Sequence, residues 1–247
     1  DLHSGSYGGA VVNPALALAE MLTALKDENG AVTIPGFYDR VRPITDGERE
    51  ALKALPFDDD EFRAETGAVS LGGEAGYSTL ERLWYRPALD VNGMISGFTG
   101  EGAKTVLPAH ARAKVSMRLV PDQDPDEVAE LFSKHFRDLA PDGVRVTVKA
   151  LHGGWPWAAN PESPLFDAAA AALEQAFGRE PVYVREGGSI PIVPLFEEIF
   201  EGPVLLLGFA PPGGNAHAPN EWMGLSDYHR GIETIARLYD EVAHKGV

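Results

Sequence analysis

The stretch Ala109-His110-Ala111-Arg112-Ala113-Lys114-Val115-Ser116-Met117-Arg118-Leu119 decides the fold, because apolar and polar side chains alternate along it. Successive side chains of a β-strand point to opposite faces of the sheet, so this alternation predicts a half-buried strand. The apolar face would consist of Ala111, Ala113, Val115, Met117 and Leu119, and the polar face of Arg112, Lys114, Ser116 and Arg118. We therefore expect a sheet with one face against a core and the other in water.

The segments around this strand extend it to a longer pattern. A helix is predicted at Asn13–Lys26, where Asn caps and Pro occupies the first helical position. A strand is predicted at Ala88–Phe98, a helix at Asp124–Leu139, and an alternating strand at Val144–Ala150. The order helix, strand, strand, helix, strand matches the two-layer ferredoxin-like βαββαβ plan, an α+β fold, without its first strand. We expect that strand to precede residue 1, because an open sheet edge leaves backbone groups unpaired.

Two regions depart from this plan. Residues 31–86 have poor periodicity and two capping-box patterns, Thr45-x-x-Glu48 and Ser78-x-x-Glu81, and are predicted to be an insertion with short helices. After Leu151, short apolar strands near residue 182 and at Val204–Leu207 alternate with helices, which indicates part of an α/β domain. The predicted domains are residues 1–151 and residues 152–247.

The composition restricts the partners. Lys and Arg number 21 and Asp and Glu 37, so the formal net charge is −16. This charge disfavours nucleic acid and anionic membranes, which attract basic surfaces. The sequence has no cysteine and no apolar run of about 20 residues, the length that spans a bilayer. We expect a cytoplasmic protein without disulfides or thiolate metal ligands.

One loop suggests a metal site whose other ligands lie elsewhere. His217 lies between Phe209 and Glu221, after an apolar strand and before the last helix, where α/β folds place their sites. A zinc site needs about four ligands, and the sequence has no His-x-x-x-His, His-x-Asp or His-Glu-x-x-His spacing. The chain is therefore expected to be part of an enzyme, with the remaining ligands outside it.

Other candidates have two readings each when taken alone. His3, in a Gly-rich entry loop, is either a flexible surface residue or a group that polarises a substrate carbonyl. Arg118 is either a solvated or salt-bridged surface residue, or a group whose guanidinium binds a substrate carboxylate through two hydrogen bonds. Within Arg185–Pro191, Glu186 could hold an ammonium group, and Ser189 could cap a helix or bind an anion. Ser189 as a nucleophile lacks a Gly-x-Ser-x-Gly elbow. Gly97–Thr105 does not have the spacing of a phosphate loop, and Thr105 alone is a loop hydroxyl.

Taken in order, six segments resemble the carnosinase-like dipeptidases. This is a branch of the two-zinc metallopeptidases that also include glutamate carboxypeptidase, aminoacylase and succinyl-diaminopimelate desuccinylase. The segments are Asp1-Leu2-His3-Ser4-Gly5, Gly102-Ala103-Lys104-Thr105-Val106-x-Pro108, Met117-Arg118-Leu119-Val120-Pro121, His152-Gly153-Gly154-x-Pro156-Trp157, Arg185-Glu186-Gly187-Gly188-Ser189-Ile190-Pro191 and Ala216-His217-x-x-Asn220-Glu221. The resemblance covers the chain from residue 1 to the last helix, including the insertion.

The resemblance implies a zinc-dependent dipeptidase of two parts. Residues 1–151 would be most of a lid that forms a homodimer, and residues 152–247 the C-terminal part of the zinc domain. Two zinc ions, with Mn²⁺ or Co²⁺ as alternatives, would be held by His217 and by ligands in an N-terminal segment that precedes this chain. The catalytic Glu would lie in that segment too, so this chain alone is expected to be inactive.

The same resemblance implies roles for the substrate-facing residues. His3 would reach from the partner's lid and stabilise the oxyanion formed when the peptide carbonyl of a dipeptide or small peptide is attacked. The substrate carboxylate would be gripped by Arg118 together with Thr105 of the partner. Glu186 would meet the substrate amino group, and the pocket would be lined by His152 and Ser189. The alternatives are an N-acyl amino acid amidohydrolase of the same family, a non-catalytic dimerisation or binding module, and a serine hydrolase using Ser189.

Overall fold

The computed structural model describes residues 1–187, 190, 192–211 and 213–246. The chain divides into two compact units. The first unit contains Asp1–Ala54 and Ser70–Pro156, with a short segment that begins at Glu186. The second unit contains Leu55–Val69 and Trp157–Arg185, with the rest of the chain from Ile190.

The described residues form short strands and longer helices. The strands are β1 (Leu2–His3), β2 (Ala88–Ser96), β3 (Val106–Leu107) and β4 (Ala111–Arg118). The helices are α1 (Ser4–Tyr7), α2 (Pro14–Thr23), α3 (Asp46–Lys53), α4 (Asp59–Thr66), α5 (Thr79–Trp84), α6 (Pro125–Asp138), α7 (Pro164–Phe177), α8 (Ile192–Phe200) and α9 (Leu225–Lys245). Within the described residues, no helix combines the length and apolar character that crossing a membrane requires.

The antiparallel pair β2–β4 confirms the predicted central strands. Ala88 lies opposite Arg118 and Ser96 opposite Ala111, with a register shift between Val91 and Gly93. Along β4, half-buried and exposed residues alternate from Ala111 to Arg118. The apolar set therefore faces the core and the charged set faces water, as the period of two requires.

The helix starts of the first unit follow the predicted caps. Asn13 caps α2 and Asp124 caps α6, each followed by proline at the first turn. Thr45 and Ser78 form capping boxes at α3 and α5, in which each hydroxyl and the glutamate three residues later satisfy each other's backbone N–H. These local bonds fix where the short helices begin.

The core of the first unit lies between the β2–β4 sheet and helices α2 and α6. Its buried members are Met21, Leu25, Val32, Ile34, Phe37, Leu89, Val128 and Phe136. Three of them come from residues 32–37, within the segment predicted to be an insertion. This end of the segment is therefore part of the scaffold core, because its apolar side chains fill the space beside Leu25 and Leu89.

The strand predicted at Val144–Ala150 is not a strand in the structure. Its side chains still alternate between half-buried and exposed from Val144 to Lys149, and Val146 and Val148 pack against the core. A strand requires hydrogen bonds to a neighbour, and none of the described residues provides a ladder for this segment. In the ferredoxin-like plan the neighbour is the first strand. The predicted alternation of burial along this segment is confirmed, but the prediction that it forms a strand is wrong.

The second unit is mainly helical. Helices α7 and α9 pack together, and α7 carries the buried small residues Ala168, Ala169 and Ala172. Gly231 on α9 is buried as well and leaves room for the Phe209 ring. Gln175 on α7 also bonds both Glu241 and Arg237 on α9. The strands predicted near residue 182 and at Val204–Leu207 are wrong as strands. Val182 and Val184 are 63% and 62% exposed, and no described residue pairs with either segment.

Candidate functional site

Two of the predicted site residues, His3 and Thr105, lie on neighbouring segments of the first unit. Strands β1 and β3 pair antiparallel, with His3 opposite Val106. The backbone N–H and the Oγ of Ser4 both donate to the carbonyl oxygen of Thr105, at 3.3 and 3.1 Å. Asp1 Oδ1 accepts from the Ala109 N–H at 2.8 Å. These bonds fasten the first residues of the chain to the loop that carries Thr105.

The imidazole of His3 caps the short helix α1. Its Nδ1 accepts hydrogen bonds from the backbone N–H groups of Gly5 and Ser6, at 3.1 and 3.2 Å. The Ser6 hydroxyl lies 3.4 Å from the same nitrogen. The residue is nevertheless exposed. An exposed histidine with one nitrogen bound to its own backbone can offer the other nitrogen to a ligand.

The remaining candidates of the first unit are also exposed. Arg118 ends β4 opposite Ala88, on the wet face that the alternation predicts. His152 and Glu186 lie in exposed segments without regular structure. Within the described part of the chain, no hydrogen bond or ion pair joins these three to each other or to His3. Ser189 lies outside the described residues.

His217 lies in the second unit, on an exposed loop with an unusual backbone. Its φ is +60°, and Asn215 and Asn220 have φ values of +55° and +62°. Asn and His are enriched in this left-handed region, but such residues still cost free energy and tend to mark functional segments. The loop is closed by a hydrogen bond of 3.0 Å from the Trp222 N–H to the Gly214 carbonyl oxygen. The geometry presents His217 at the protein surface.

The residues that the structure describes do not by themselves fit a metal site. Among the described residues, no group of three or more His, Cys, Asp or Glu side chains comes together in a way that could hold a metal ion. His217 can supply one ligand, whereas a zinc ion takes about four. A zinc ion with about four protein ligands at His217 would therefore need ligands from outside the described residues.

Sequence reasoning missed the residues that build the His3–Thr105 arrangement. Ser4 and Asp1 bond to partners more than 100 positions away, and Gly5 lies directly against the His3 ring. Strands of two residues are too short to show alternation, so β1 and β3 carried no periodic signal. Only the motif likeness singled out these segments.

The family model of the peptidase dimerisation domain matches residues 1–144. The Cys-Gly metallodipeptidase DUG1 of Saccharomyces cerevisiae is 35% identical over 96% of this chain and 50% of its own length. The human Beta-Ala-His dipeptidase is 31% identical over 98% of this chain and 48% of its own length. The solved structure of an M20 family metallo-carboxypeptidase, Sso-CP2 from Sulfolobus solfataricus, superimposes with a TM-score of 0.84 at 33% identity, covering 96% of this chain and 54% of that one. The chain thus spans about half the length of the curated relatives it matches.

Proposed function

This chain belongs to the M20 metallopeptidase family, through its peptidase dimerisation domain, and we propose that it forms the lid and the C-terminal part of a zinc-dependent dipeptidase. The lid would be residues 1–151, and the part of the zinc domain would be residues 152–247. The whole enzyme would hydrolyse dipeptides or small peptides. Sequence likeness to a metallodipeptidase and to a dipeptidase supports this substrate class. A cytoplasmic location stays a prediction from composition.

The observation that carries the proposal is that β1 pairs with β3 and Ser4 bonds to Thr105, which holds His3 and Thr105 on neighbouring segments with both residues exposed. An imidazole N–H can stabilise negative charge that develops on a carbonyl oxygen. A threonine hydroxyl in the loop directly before β3 can donate to a substrate carboxylate at the same time. The bonds from Ser4 to the Thr105 carbonyl oxygen hold the two segments together, and both side chains would reach into a site of the partner subunit.

The other predicted residues would complete substrate recognition. Arg118 would form a bidentate pair with the carboxylate terminus, which suits the planar guanidinium group. Glu186 would bind the free amino group, and His152 and Ser189 would line the pocket. His217 would be one ligand of the zinc pair, whose other ligands belong to the half that the relatives have in addition. Zinc would polarise the carbonyl group when it is bound there.

A homodimer through the lid is supported by the apolar surface of α2 and β2. Leu16 is 64% exposed, and Met94 and Ile95 are 55% and 59% exposed. A shallow groove between these elements is lined by residues that include Ala15, Leu18 and Met94. Strand β2 pairs only with β4 among the described residues, so its other edge can accept a strand from a second lid.

The second unit carries an exposed apolar surface on α9 that suits contact with the half of the protein that the relatives have in addition. Five large apolar side chains follow one face of α9 at spacings of three, four, three and four residues. They are Leu225, Tyr228, Ile232, Ile235 and Tyr239, and they are 77%, 53%, 54%, 38% and 73% exposed. A contiguous apolar stripe of this kind marks an interaction surface. We assign it to the N-terminal half of the zinc domain, which the relatives possess and this chain does not span.

The test compares this chain with a version extended to the relatives' full length. The extended protein loaded with zinc is expected to release free amino acids from a dipeptide, and chelation is expected to abolish the reaction. The 247-residue chain alone is expected to show no turnover with or without zinc, because it supplies one metal ligand. An extended, zinc-loaded protein that binds metal but leaves dipeptides intact would instead favour the non-catalytic module. Labelling of Ser189 by a serine-directed inhibitor would favour the serine hydrolase.

Glu186 distinguishes a dipeptidase from an N-acyl amino acid amidohydrolase. Glu186→Gln removes the charge that would pair with a substrate ammonium group, so kcat/KM for a dipeptide is expected to fall by about tenfold to 100-fold, within the range of a lost charge-assisted hydrogen bond. The kcat/KM for the N-acylated analogue is expected to change little. Glu180→Gln, an exposed carboxylate of the second unit, is the control. Equal losses for the two substrates would contradict this role of Glu186.

A further inference from the structure

The structure assigns a specific tautomer to His3, and we infer that Gly5 is the positioning residue that makes this possible. The inference rests on the proposed function only for its catalytic consequence. The tautomer itself follows from contacts within the first unit. It identifies a residue of the lid that touches no substrate yet decides which proton His3 can offer.

The His3 ring accepts hydrogen bonds through one of its two nitrogens. Nδ1 faces two backbone N–H groups, those of Gly5 and Ser6, at 3.1 and 3.2 Å. A nitrogen that accepts from two donors must present its lone pair, so it carries no hydrogen. In a neutral imidazole the proton then resides on the other nitrogen. His3 is therefore fixed with its proton on Nε2.

Nε2 of His3 is available to donate a hydrogen bond. Among the residues that the structure describes, none accepts a hydrogen bond from Nε2, and the residue is exposed. Thr105 beside it is exposed too. An N–H donor that is fixed in direction and has no internal acceptor suits a developing oxyanion, because a preorganised donor needs no rearrangement at the moment of reaction. The opposite tautomer would present a lone pair there and repel the oxyanion.

The His3 ring occupies the space where position 5 would carry a side chain. A Cβ atom added at Gly5 would lie 2.9 Å from His3 Cε1 and 3.3 Å from Nδ1. The backbone of Gly5 is not in the left-handed region, so alanine there is opposed by the imidazole and not by its own φ angle. An alanine Cβ at this position would require the imidazole to shift from its place beside the two N–H groups. The role of Gly5 is thus to leave room for the ring.

The substitution Gly5→Ala is expected to push the imidazole away from both donors. In ¹⁵N spectra of the 247-residue chain, with His3 assigned by comparison with His3→Asn, the wild type should show an unprotonated Nδ1 and a protonated Nε2. Gly5→Ala should shift the Nδ1 signal toward that of a freely exchanging imidazole. Gly47→Ala is the matched control, since a Cβ there meets nothing within 4 Å, and it should leave the His3 signals unchanged. An unchanged Nδ1 signal in Gly5→Ala, or a protonated Nδ1 in the wild type, would overturn the inference.

The catalytic consequence is measured separately in the extended, zinc-loaded protein. Gly5→Ala is expected to lower kcat by up to about 10²-fold, the scale for misplacing a group by 1 Å, with little change in KM. Thermal unfolding of the same variant shows whether α1 remains folded. If the spectra change as expected but neither Gly5→Ala nor His3→Asn lowers kcat, the tautomer assignment holds and the proposed catalytic role of His3 fails.

Discussion

Replacing His3 by asparagine in the extended, zinc-loaded protein is expected to lower kcat for dipeptide hydrolysis by about 10²- to 10³-fold, as for the loss of one oxyanion donor. Asparagine is a good helix N-cap, so the bonds to Gly5 and Ser6 can be preserved. The variant nevertheless lacks a donor at the reach of Nε2. The expected result is therefore a stably folded protein with nearly normal substrate binding and a slow chemical step.

The comparison of three variants separates capping from catalysis. His3→Ala removes both the cap and the donor and is expected to lose kcat as His3→Asn does. His110→Asn, at an exposed histidine beside β4, is expected to keep the wild-type kcat. If His3→Asn retained activity while His3→Ala lost it, His3 would be a structural cap and the oxyanion role would have to be abandoned. Steady-state kcat and KM for one dipeptide are sufficient.

The second large effect is expected on stability, at Arg86. Its guanidinium group forms two hydrogen bonds with the Glu74 carboxylate, at 2.8 and 2.7 Å, and the two side chains are 13% and 15% exposed. The group also lies over the rings of Tyr38 and Tyr77, with 4.6 and 4.5 Å to the centroids. Burial, the largest influence, lowers the pKa of Arg86, but the hydrogen bond and attraction to Glu74 outweigh it and raise the pKa above its usual value. Burial has the opposite effect on the neutral acid Tyr38 and raises the pKa of its hydroxyl.

Arg86→Met is expected to reduce the free energy of unfolding by about 3–5 kcal/mol, because it leaves the Glu74 carboxylate buried without its partner. The double variant Arg86→Met/Glu74→Met should recover part of the loss, since no unpaired charge remains. Urea denaturation followed by circular dichroism measures both. The control is Arg63→Met, which breaks an exposed pair with Asp60 and is expected to change stability by less than about 0.5 kcal/mol. Similar losses at Arg86 and Arg63 would contradict the importance of burial.

Local signals in the sequence predicted the elements that local physics determines. The alternation before Arg118 gave β4, and the caps Asn13 and Asp124 gave the starts of α2 and α6. Each of these depends on side chains and backbone groups within a few positions. The strand at Val144–Ala150 was predicted from the same kind of alternation. A strand also requires a hydrogen-bonded neighbouring strand, and the local sequence does not show whether one is present. Its side chains face the core without a ladder.

The site was predictable as a set of residue types but not as an arrangement. Nothing near His3 indicates that Thr105 is its neighbour, because the bonds between Ser4 and Thr105 join segments far apart in sequence. The role of Gly5 is visible only when the His3 ring has a position. The Arg86 cluster was missed for the same reason, since Tyr38 and Glu74 approach it from separate loops. The resemblance to known motifs pointed to His3 and Thr105. It pointed neither to the role of Gly5 nor to the Arg86 cluster.

The most direct test of the central claim is complementation between two inactive variants of the extended, zinc-loaded protein. One variant carries His3→Ala and the other His217→Ala, so that a mixed dimer keeps one intact His217 and, on the opposite subunit, one intact His3. If each lid serves the partner's site, reassembly of an equal mixture should restore about a quarter of the wild-type dipeptidase activity, given random pairing in a twofold dimer. Reassembled dimers that remain inactive, while wild-type subunits treated identically recover, would contradict the account.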